Sequence, residues 1–284
     1  MDQRRKIRTI LSASECVVPA SVFDPISARI AQDLGFETGM VAGSIASLSV
    51  LGAPDIAVLT LTELAELIRR IARASSLPVI VDADHGYGNA LSVMRTVQEL
   101  ENAGAAALTI EDTLLPHQFA GSETALVSLE EGLGKVRAAL AARKDPELVI
   151  VARTSAMAVT DINDAVRRAR AYSEAGADAL FLAGVSAMSQ IEAIRNAVNL
   201  PIVLGSTKAS IGSSDALAAN GVRIALGGHQ AFYIALQAIF STMKALREQP
   251  GRKDLPQAAS AELIAQVTRS AQYKVATKEF LADE

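Results

Sequence analysis

The sequence predicts an α/β fold, specifically a (β/α)8 TIM-type barrel with an extra C-terminal helical tail. A unit of helix, glycine and short apolar strand recurs along the chain, with its glycine at Gly35, Gly104, Gly176 and Gly221. Apolar strand patterns and helical patterns alternate eight times, which favours a barrel over the alternative of a doubly wound sheet. The 284 residues, 50% of them hydrophobic, are enough for one large core.

The predicted strands are short apolar runs that follow a glycine or a proline. A glycine just past a helix is the usual left-handed cap, so the recurring glycines are interpreted as structural. Pro78 and Pro201 precede two further strands, and Asp24-Pro25 starts a helix with an N-cap and a proline at its first position. The strands are expected near residues 15–20, 38–43, 78–82, 107–111, 148–153, 179–184, 201–205 and 223–228.

Two segments follow from this count. Residues 1–249 are assigned to the barrel, and residues 250–284 to a C-terminal helical extension with a helix from about 259 to 282. Leu263, Ile264 and Val267 recur at helical spacing in that extension, after the barrel is complete. Such an apolar stripe is expected to pack on, or be exchanged with, a neighbouring subunit.

Composition excludes several classes of partner. The formal net charge is −4, aromatic residues make up 4% of the chain and tryptophan is absent, so nucleic acid is not an expected partner. The single cysteine, Cys16, rules out an intramolecular disulfide and indicates a reducing compartment. No apolar segment has the length of a signal peptide or a membrane span, and the run 231–243 is too short. The protein is expected to be cytoplasmic, with no membrane partner.

Acidic residues follow two neighbouring predicted strands. Val79-Ile-Val-Asp82 leads to Asp84, and Ala107-Leu-Thr-Ile leads to Glu111 and Asp112. Residues i and i+2 of a strand point to the same side, so Asp82 and Asp84 would repel unless a cation lies between them or one of them is protonated. Oxygen ligands suit Mg²⁺, with Mn²⁺ as the alternative. The structural alternative is that each acid caps the helix that follows it.

Other polar residues fall at predicted strand ends, where barrels carry their active sites. Arg153 is expected to bind a carboxylate, although it could instead neutralise the acids. Ser44 could offer its hydroxyl to an anion, and His229 is interpreted either as a substrate ligand or as an ordinary helix cap. His85 and His117 are expected to be solvated loop residues. These groups suit a small carboxylate substrate whose carbonyl chelates the metal, which stabilises an enolate.

Several of these motifs resemble one known superfamily. Asp82-Ala-Asp-His-Gly-Tyr-Gly-Asn89, Ile110-Glu-Asp112 and Gly43-Ser-Ile-Ala-Ser47 ahead of Asp55 are similar to the isocitrate lyase/phosphoenolpyruvate mutase superfamily. The oxaloacetate decarboxylase branch is the most similar, through the segments 21–25, 110–116 and Gly228-His229. The likeness covers nearly the whole chain.

The resemblance implies an Mg²⁺-dependent barrel that acts on a small 2-keto acid and assembles as a homotetramer with exchanged C-terminal helices. By position, Asp82 would bind the metal directly, whereas Asp55, Asp84 and Glu111 would hold its waters. Ser44, Arg153 and His229 would bind substrate, and the catalytic residues would be Asp82, Arg153 and His229.

Some positions depart from the superfamily. Its lyases carry a catalytic cysteine in a Lys-Lys-Cys-Gly-His loop, whereas residues 116–124 contain neither cysteine nor lysine. Cleavage of isocitrate and phosphonate chemistry are therefore disfavoured. Ser155 replaces a common asparagine, and the segment around Thr207 lacks an expected tyrosine.

The leading hypothesis is decarboxylation of oxaloacetate to pyruvate and CO2 through a metal-stabilised enolate. The alternatives are another 2-keto acid or another C–C or P–C bond cleavage of the same superfamily, and a metabolite-binding barrel without turnover.

Overall fold

The computed structural model describes residues 2–117, 119, 124–206, 210–249, 255 and 257–281. Within these residues, eight parallel strands lie in one sheet in the order of the chain. They are β1 (Ala20–Ser21), β2 (Gly39–Val41), β3 (Val79–Asp82), β4 (Ala107–Glu111), β5 (Val149–Thr154), β6 (Ala179–Leu182), β7 (Ile202–Leu204) and β8 (Val222–Ala225). A parallel bridge between Val17 and Ile224 joins the start of the sheet to its end. The predicted TIM-type barrel is confirmed.

One helix precedes the first strand, and the others connect the strands or follow the last one. They are α1 (Asp2–Ser12), α2 (Pro25–Asp33), α3 (Gly43–Ala46), α4 (Leu61–Ala74), α5 (Ala90–Ala103), α6 (Leu129–Ala142), α7 (Ala156–Val159), α8 (Ile162–Glu174), α9 (Met188–Ala197), α10 (Ser214–Ala219), α11 (Gln230–Glu248), α12 (Ala261–Thr268) and α13 (Ser270–Phe280). A π-helical turn, Ser47–Leu51, directly follows α3. The predicted proline start of a helix is found in α2, where Asp24 forms a capping box with Ser27.

The first strand begins only at the last residue of the predicted span 15–20. Only Val17 of that span pairs with β8, through its N–H to the Arg223 carbonyl at 2.9 Å and its carbonyl to the Ala225 N–H at 3.0 Å. Pro19 follows, and a proline cannot donate to a strand ladder. The regular strand therefore begins only at Ala20.

The barrel interior is filled by apolar side chains from most of the strands. Met40, Ile80, Val151, Phe181 and Val203 form one buried cluster there. The α1 helix closes the N-terminal end of the strands, because its residues Ile7 and Leu11 belong to the same cluster. The opposite, C-terminal end of the strands is left free to carry polar groups.

The chain divides into two compact units, residues 1–228 and 229–284. The second unit contains α11, α12 and α13, and is described by itself. The tail helix predicted from about 259 to 282 is wrong in one respect. Arg269 adopts a left-handed conformation (φ 59°), which separates α12 from α13. Residues 250–254, 256 and 282–284 lie outside the described residues, and the assignment of 1–249 to the barrel stays a prediction.

Among the described helices, none is long and apolar enough to cross a membrane.

Candidate active site

Two buried carboxylates stand at the last residues of neighbouring strands. Asp82 ends β3 and is 8% exposed, and Glu111 ends β4 and is 5% exposed. The strand register holds them near each other, because Asp82 pairs with Thr109, two residues before Glu111. The Thr109 hydroxyl donates to Asp82 Oδ1 at 2.9 Å and fixes the orientation of that carboxylate.

Asp84 reaches the same place by a turn and not by strand alternation. The strand ends at Asp82, and Asp84 has φ 48°, in the left-handed region that non-glycine residues rarely adopt. The prediction that Asp82 and Asp84 share one side of a strand is therefore wrong in its geometry. The Asp84 carbonyl accepts from the Glu111 N–H at 2.9 Å, which ties the turn to β4.

Glycine makes room for the Asp84 carboxylate. A β-carbon added to Gly43 would lie 2.5 Å from Asp84 Oδ1, so a larger residue there would displace the acid. Gly43 is the first residue of α3, and Ser44, the predicted substrate ligand, follows it in the first turn, half-buried. The absence of a side chain at Gly43 thus allows the close approach of a protein carboxylate.

Side chains of two neighbouring helices donate hydrogen bonds to the turn after β3. Lys135 of α6 donates to the His85 carbonyl at 3.1 Å, and Thr96 of α5 donates to the Gly86 carbonyl at 3.0 Å. His85 is buried, which lowers its pKa to about 4 with a further contribution from the charge of Lys135. The expectation that His85 is solvated is wrong, since the residue is only 6% exposed, whereas His117 is exposed as expected.

Arg153 lies between the two strand-end acids. Its Nη1 is 2.6 Å from Asp82 Oδ2, and its Nε is 2.9 Å from Glu111 Oε2. The second contact is an ion pair without hydrogen-bond alignment, because both of its atoms are buried and lack a hydrogen-bond partner. Burial alone would lower the pKa of Arg153, but the charges of Asp82 and Glu111 raise it instead. Both sequence interpretations of Arg153, neutralisation and anion binding, remain compatible with this position.

The acids nevertheless outnumber the positive charge beside them. Burial, followed by the charges of Asp82 and Glu111, raises the pKa of Asp84 to about 8. Burial also raises the pKa of Glu111 to about 7, against the opposing influence of Arg153. Asp55 lies on the exposed loop after the π-helical turn, and its pKa is raised by partial burial and by the charge of Asp82. The cluster therefore holds protons near neutral pH unless further positive charge is supplied.

A divalent cation would supply that charge, and the donor set fits one. Carboxylate oxygens are the ligands that Mg²⁺ prefers, and Mg²⁺ commonly keeps several waters and takes only one or two carboxylates. Among the described residues, no three acid, histidine or cysteine side chains are placed to hold an ion directly. The arrangement accordingly fits an ion held by one carboxylate and otherwise through water.

Asp112 faces away from this cluster. Its carboxylate accepts from the Tyr172 hydroxyl at 2.9 Å and from Arg168 Nη1 at 3.1 Å, and it accepts weakly from the Ser155 N–H at 3.4 Å. The sequence grouped Asp112 with the metal-facing acids, but adjacent residues of a strand point to opposite sides. Asp112 is a buried anchor between β4, β5 and α8.

His229 belongs to the second unit, where it is the N-cap residue of α11, four residues beyond the end of β8. Its predicted role in substrate binding stays a prediction. Residues 207–209, in the segment where a tyrosine is expected, lie outside the described residues, as do residues 118 and 120–123 of the loop that lacks the superfamily's cysteine.

Comparison with known proteins places the chain in a family. The family model for phosphoenolpyruvate phosphomutase matches residues 7–247. The chain belongs to the phosphoenolpyruvate phosphomutase family. This membership confirms the resemblance read from the Asp82–Asn89 and Ile110–Asp112 motifs.

Curated relatives of this family share much of the sequence. The chain is 57% identical over 272 residues to an oxaloacetate decarboxylase of Bradyrhizobium diazoefficiens, covering 96% of this chain and 94% of the relative. It is also 57% identical over 279 residues to an oxaloacetate decarboxylase of Rhodopseudomonas palustris, covering 98% and 97%.

Solved structures of the family share the fold over nearly the full length. Phosphoenolpyruvate phosphomutase from Streptomyces platensis subsp. rosaceus is 30% identical with a TM-score of 0.88, covering 98% of this chain and 99% of its own. Oxaloacetate acetylhydrolase in complex with 3,3-difluorooxalacetate is 28% identical with a TM-score of 0.86, covering 98% and 97%. Phosphonopyruvate hydrolase in complex with oxalate and Mg²⁺ is 29% identical with a TM-score of 0.85, covering 99% of both chains.

Proposed function

We propose that this chain is a divalent-metal-dependent oxaloacetate decarboxylase, which releases pyruvate and CO2. The observation that carries the proposal is the crowding of Asp82, Asp84 and Glu111 around the single guanidinium of Arg153 at the C-terminal end of the barrel. The relatives named oxaloacetate decarboxylase, 57% identical over almost the entire chain, support the choice of reaction.

The metal is proposed to be Mg²⁺, with Mn²⁺ as the alternative. Asp82 would hold the ion directly, and Asp55, Asp84 and Glu111 would hold its waters. When bound, the ion supplies Lewis-acid stabilisation of negative charge on the keto oxygen of the substrate. The phosphonopyruvate hydrolase structure with oxalate and Mg²⁺ supports the choice of metal, because a small dicarboxylate and Mg²⁺ occur together in a protein of the same fold.

The residues around the cluster are proposed to orient the keto acid. Arg153 presents a planar guanidinium that can bind a carboxylate through two parallel hydrogen bonds. Ser44, in the first turn of α3, would donate its hydroxyl to the same end of the substrate. His229 is proposed to donate a hydrogen bond to the keto oxygen.

Decarboxylation needs one bond to break and one proton to arrive. The bond between the distal carboxylate and its neighbouring carbon breaks, and CO2 leaves without that electron pair. The pair forms a carbon–carbon double bond, and negative charge develops on the keto oxygen. Arg153 and His229 would stabilise that negative charge. Protonation of the carbon by water or a nearby acid then gives pyruvate.

The only thiol lies at the wrong end of the barrel for lyase chemistry. Cys16 precedes β1, and its carbonyl accepts from Ser214 at 3.3 Å at the start of α10. Burial raises its pKa, which disfavours the reactive thiolate. This placement supports decarboxylation over the cysteine-dependent cleavages of the superfamily.

The test is a screen for pyruvate release over a panel of 2-keto acids, with Mg²⁺, Mn²⁺ or EDTA. Turnover of oxaloacetate with either metal, abolished by EDTA, is the expected result. Turnover of another 2-keto acid without turnover of oxaloacetate would move the assignment to another reaction of the superfamily. Binding of oxalate without any turnover would favour a metabolite-binding barrel.

A cytoplasmic homotetramer with exchanged C-terminal helices completes the proposal. Large apolar side chains remain exposed along α11: Tyr233, Ile234, Leu236, Ile239, Phe240, Met243 and Leu246. Burial of this surface against another copy would remove apolar area from water. Light scattering should give the mass of a tetramer, and truncation after Gln249 should lower it. A full-length monomer at micromolar concentration would refute the assembly.

A further inference from the structure

Arg153 rests on an aromatic ring. Its Cζ lies 5.1 Å from the centre of the Phe181 ring, within the range of a cation–π interaction. Phe181 comes from β6, where the strand register pairs it directly with Arg153 of β5. Side chains of paired residues project from the same face of a sheet, so the fold itself brings the ring and the guanidinium together.

The Phe181 ring has little freedom to move. It is 4% exposed and packs in the barrel interior with Val151 and Val203. On another side, a β-carbon added to Gly205 of the chain after β7 would lie 3.1 Å from the ring. The buried ring therefore provides a rigid surface against which Arg153 packs.

The edge and the face of the Arg153 guanidinium contact different groups. Along its edge, Nη1 and Nε reach Asp82 and Glu111, at 2.6 Å and 2.9 Å. An aliphatic side chain in place of Phe181 would give the face of the Arg153 guanidinium no attractive electrostatic contact. The negative face of an aromatic ring attracts a cation, and more strongly when the cation is partly removed from water, as Arg153 is with its side chain 21% exposed.

We propose that Phe181 is a positioning residue, whose ring holds the guanidinium plane of Arg153 in the orientation that binds the carboxylate of the substrate. The inference rests on the proposed function, since it assigns Arg153 to substrate. It predicts that affinity for a small dicarboxylate depends on the electron density of the Phe181 ring, and not only on its volume.

The experiment introduces phenylalanine analogues with one, two and three ring fluorines at position 181 by site-specific incorporation. Fluorination withdraws charge from the ring face while changing its size little. We expect KM for oxaloacetate and the dissociation constant of oxalate with Mg²⁺ to rise stepwise, to about three- to tenfold for three fluorines. Phe181→Leu should weaken oxalate binding at least as much. The same analogues at Phe36, which is 39% exposed, are the matched control and should change neither constant.

Two outcomes separate the inference from the proposed function. A flat series, with oxalate bound equally well at every level of fluorination, would overturn the role of Phe181 even if oxaloacetate is decarboxylated. A stepwise loss of oxalate affinity in a protein that does not decarboxylate oxaloacetate would support the role of Phe181 and refute the reaction. Melting temperatures within about a degree across the series would show that the loss does not come from unfolding.

Discussion

The two ends of the barrel handle charge in opposite ways. At the N-terminal end, Arg4 lies 2.6 Å from Asp145, and Arg8 and Arg143 both reach Asp178, at 3.2 Å and 2.6 Å. Backbone groups complete this network, since the Ile150 N–H also donates to Asp178 at 2.8 Å. Each of these carboxylates is paired with at least one arginine.

At the C-terminal end, the acidic side chains outnumber the basic ones. Asp82, Asp84 and Glu111 share Arg153, and the pKa values of Asp84 and Glu111 rise to about 8 and about 7. Displaced pKa values of this kind cluster at functional sites. The contrast indicates that one end of the barrel contributes to stability, and it supports the proposal that the other end binds a ligand that brings positive charge.

The largest effect should come from the proposed metal ligand. Asp82→Ala is expected to lower decarboxylation by roughly a thousandfold or more, because Lewis-acid stabilisation worth several kcal/mol is lost with the ion. Steady-state kinetics measures the loss, and circular dichroism checks the fold. Wild-type activity that persists in excess EDTA would contradict the role of the metal.

His229 is expected to have the next largest effect. His229→Ala and His229→Gln should each lower turnover by on the order of a hundredfold, the usual loss when a donor to a developing oxyanion is removed. Affinity for Mg²⁺, measured by calorimetry, should change little. Full activity of the alanine variant would remove this residue from the site.

At the other end, a substitution should change stability and spare activity. Asp178→Asn breaks pairing with Arg8 and Arg143, and we expect it to lower the free energy of unfolding by about 1–3 kcal/mol. Turnover should stay within about twofold. Asp2→Asn, which removes an exposed pair with Lys6, is the control and should leave the melting temperature unchanged. A loss of turnover in Asp178→Asn at full stability would break the contrast between the two ends.

Cys16 should have the smallest effect. Cys16→Ser is expected to keep turnover within a few-fold of wild type, because the thiol lies at the N-terminal end and has no assigned chemistry. Stoichiometric inactivation of the wild type by a thiol reagent, prevented by substrate, would show that the nucleophile has been misplaced.

The sequence predicted the barrel because its signals are local. Glycines and prolines mark the strand starts, and acids at the ends of β3 and β4 must meet in a parallel barrel. Two expectations about local geometry are wrong, one because of a missing strand pairing and the other because of an unusual backbone conformation. Pro19 shortened the pairing of the first strand, and the left-handed residue Asp84 entered the cluster from a turn.

Long-range contacts were beyond the reach of sequence patterns. Nothing local shows that Asp112 would turn to Arg168 and Tyr172, some 60 residues away. Nothing in the sequence singles out Phe181, since only the register of β5 and β6 places its ring next to Arg153.

The most direct test of the account is Mg²⁺ binding measured by calorimetry between pH 6 and pH 8, in buffers of different ionisation enthalpy. Without metal, Asp84 and Glu111 hold protons below about pH 8 and about pH 7, and an entering cation must displace them. We predict that binding releases protons near pH 7, that affinity rises with pH, and that Asp82→Ala abolishes binding. Equal affinity at every pH without proton release, or undiminished binding by Asp82→Ala, would contradict the claim that this end of the barrel is completed by a divalent cation.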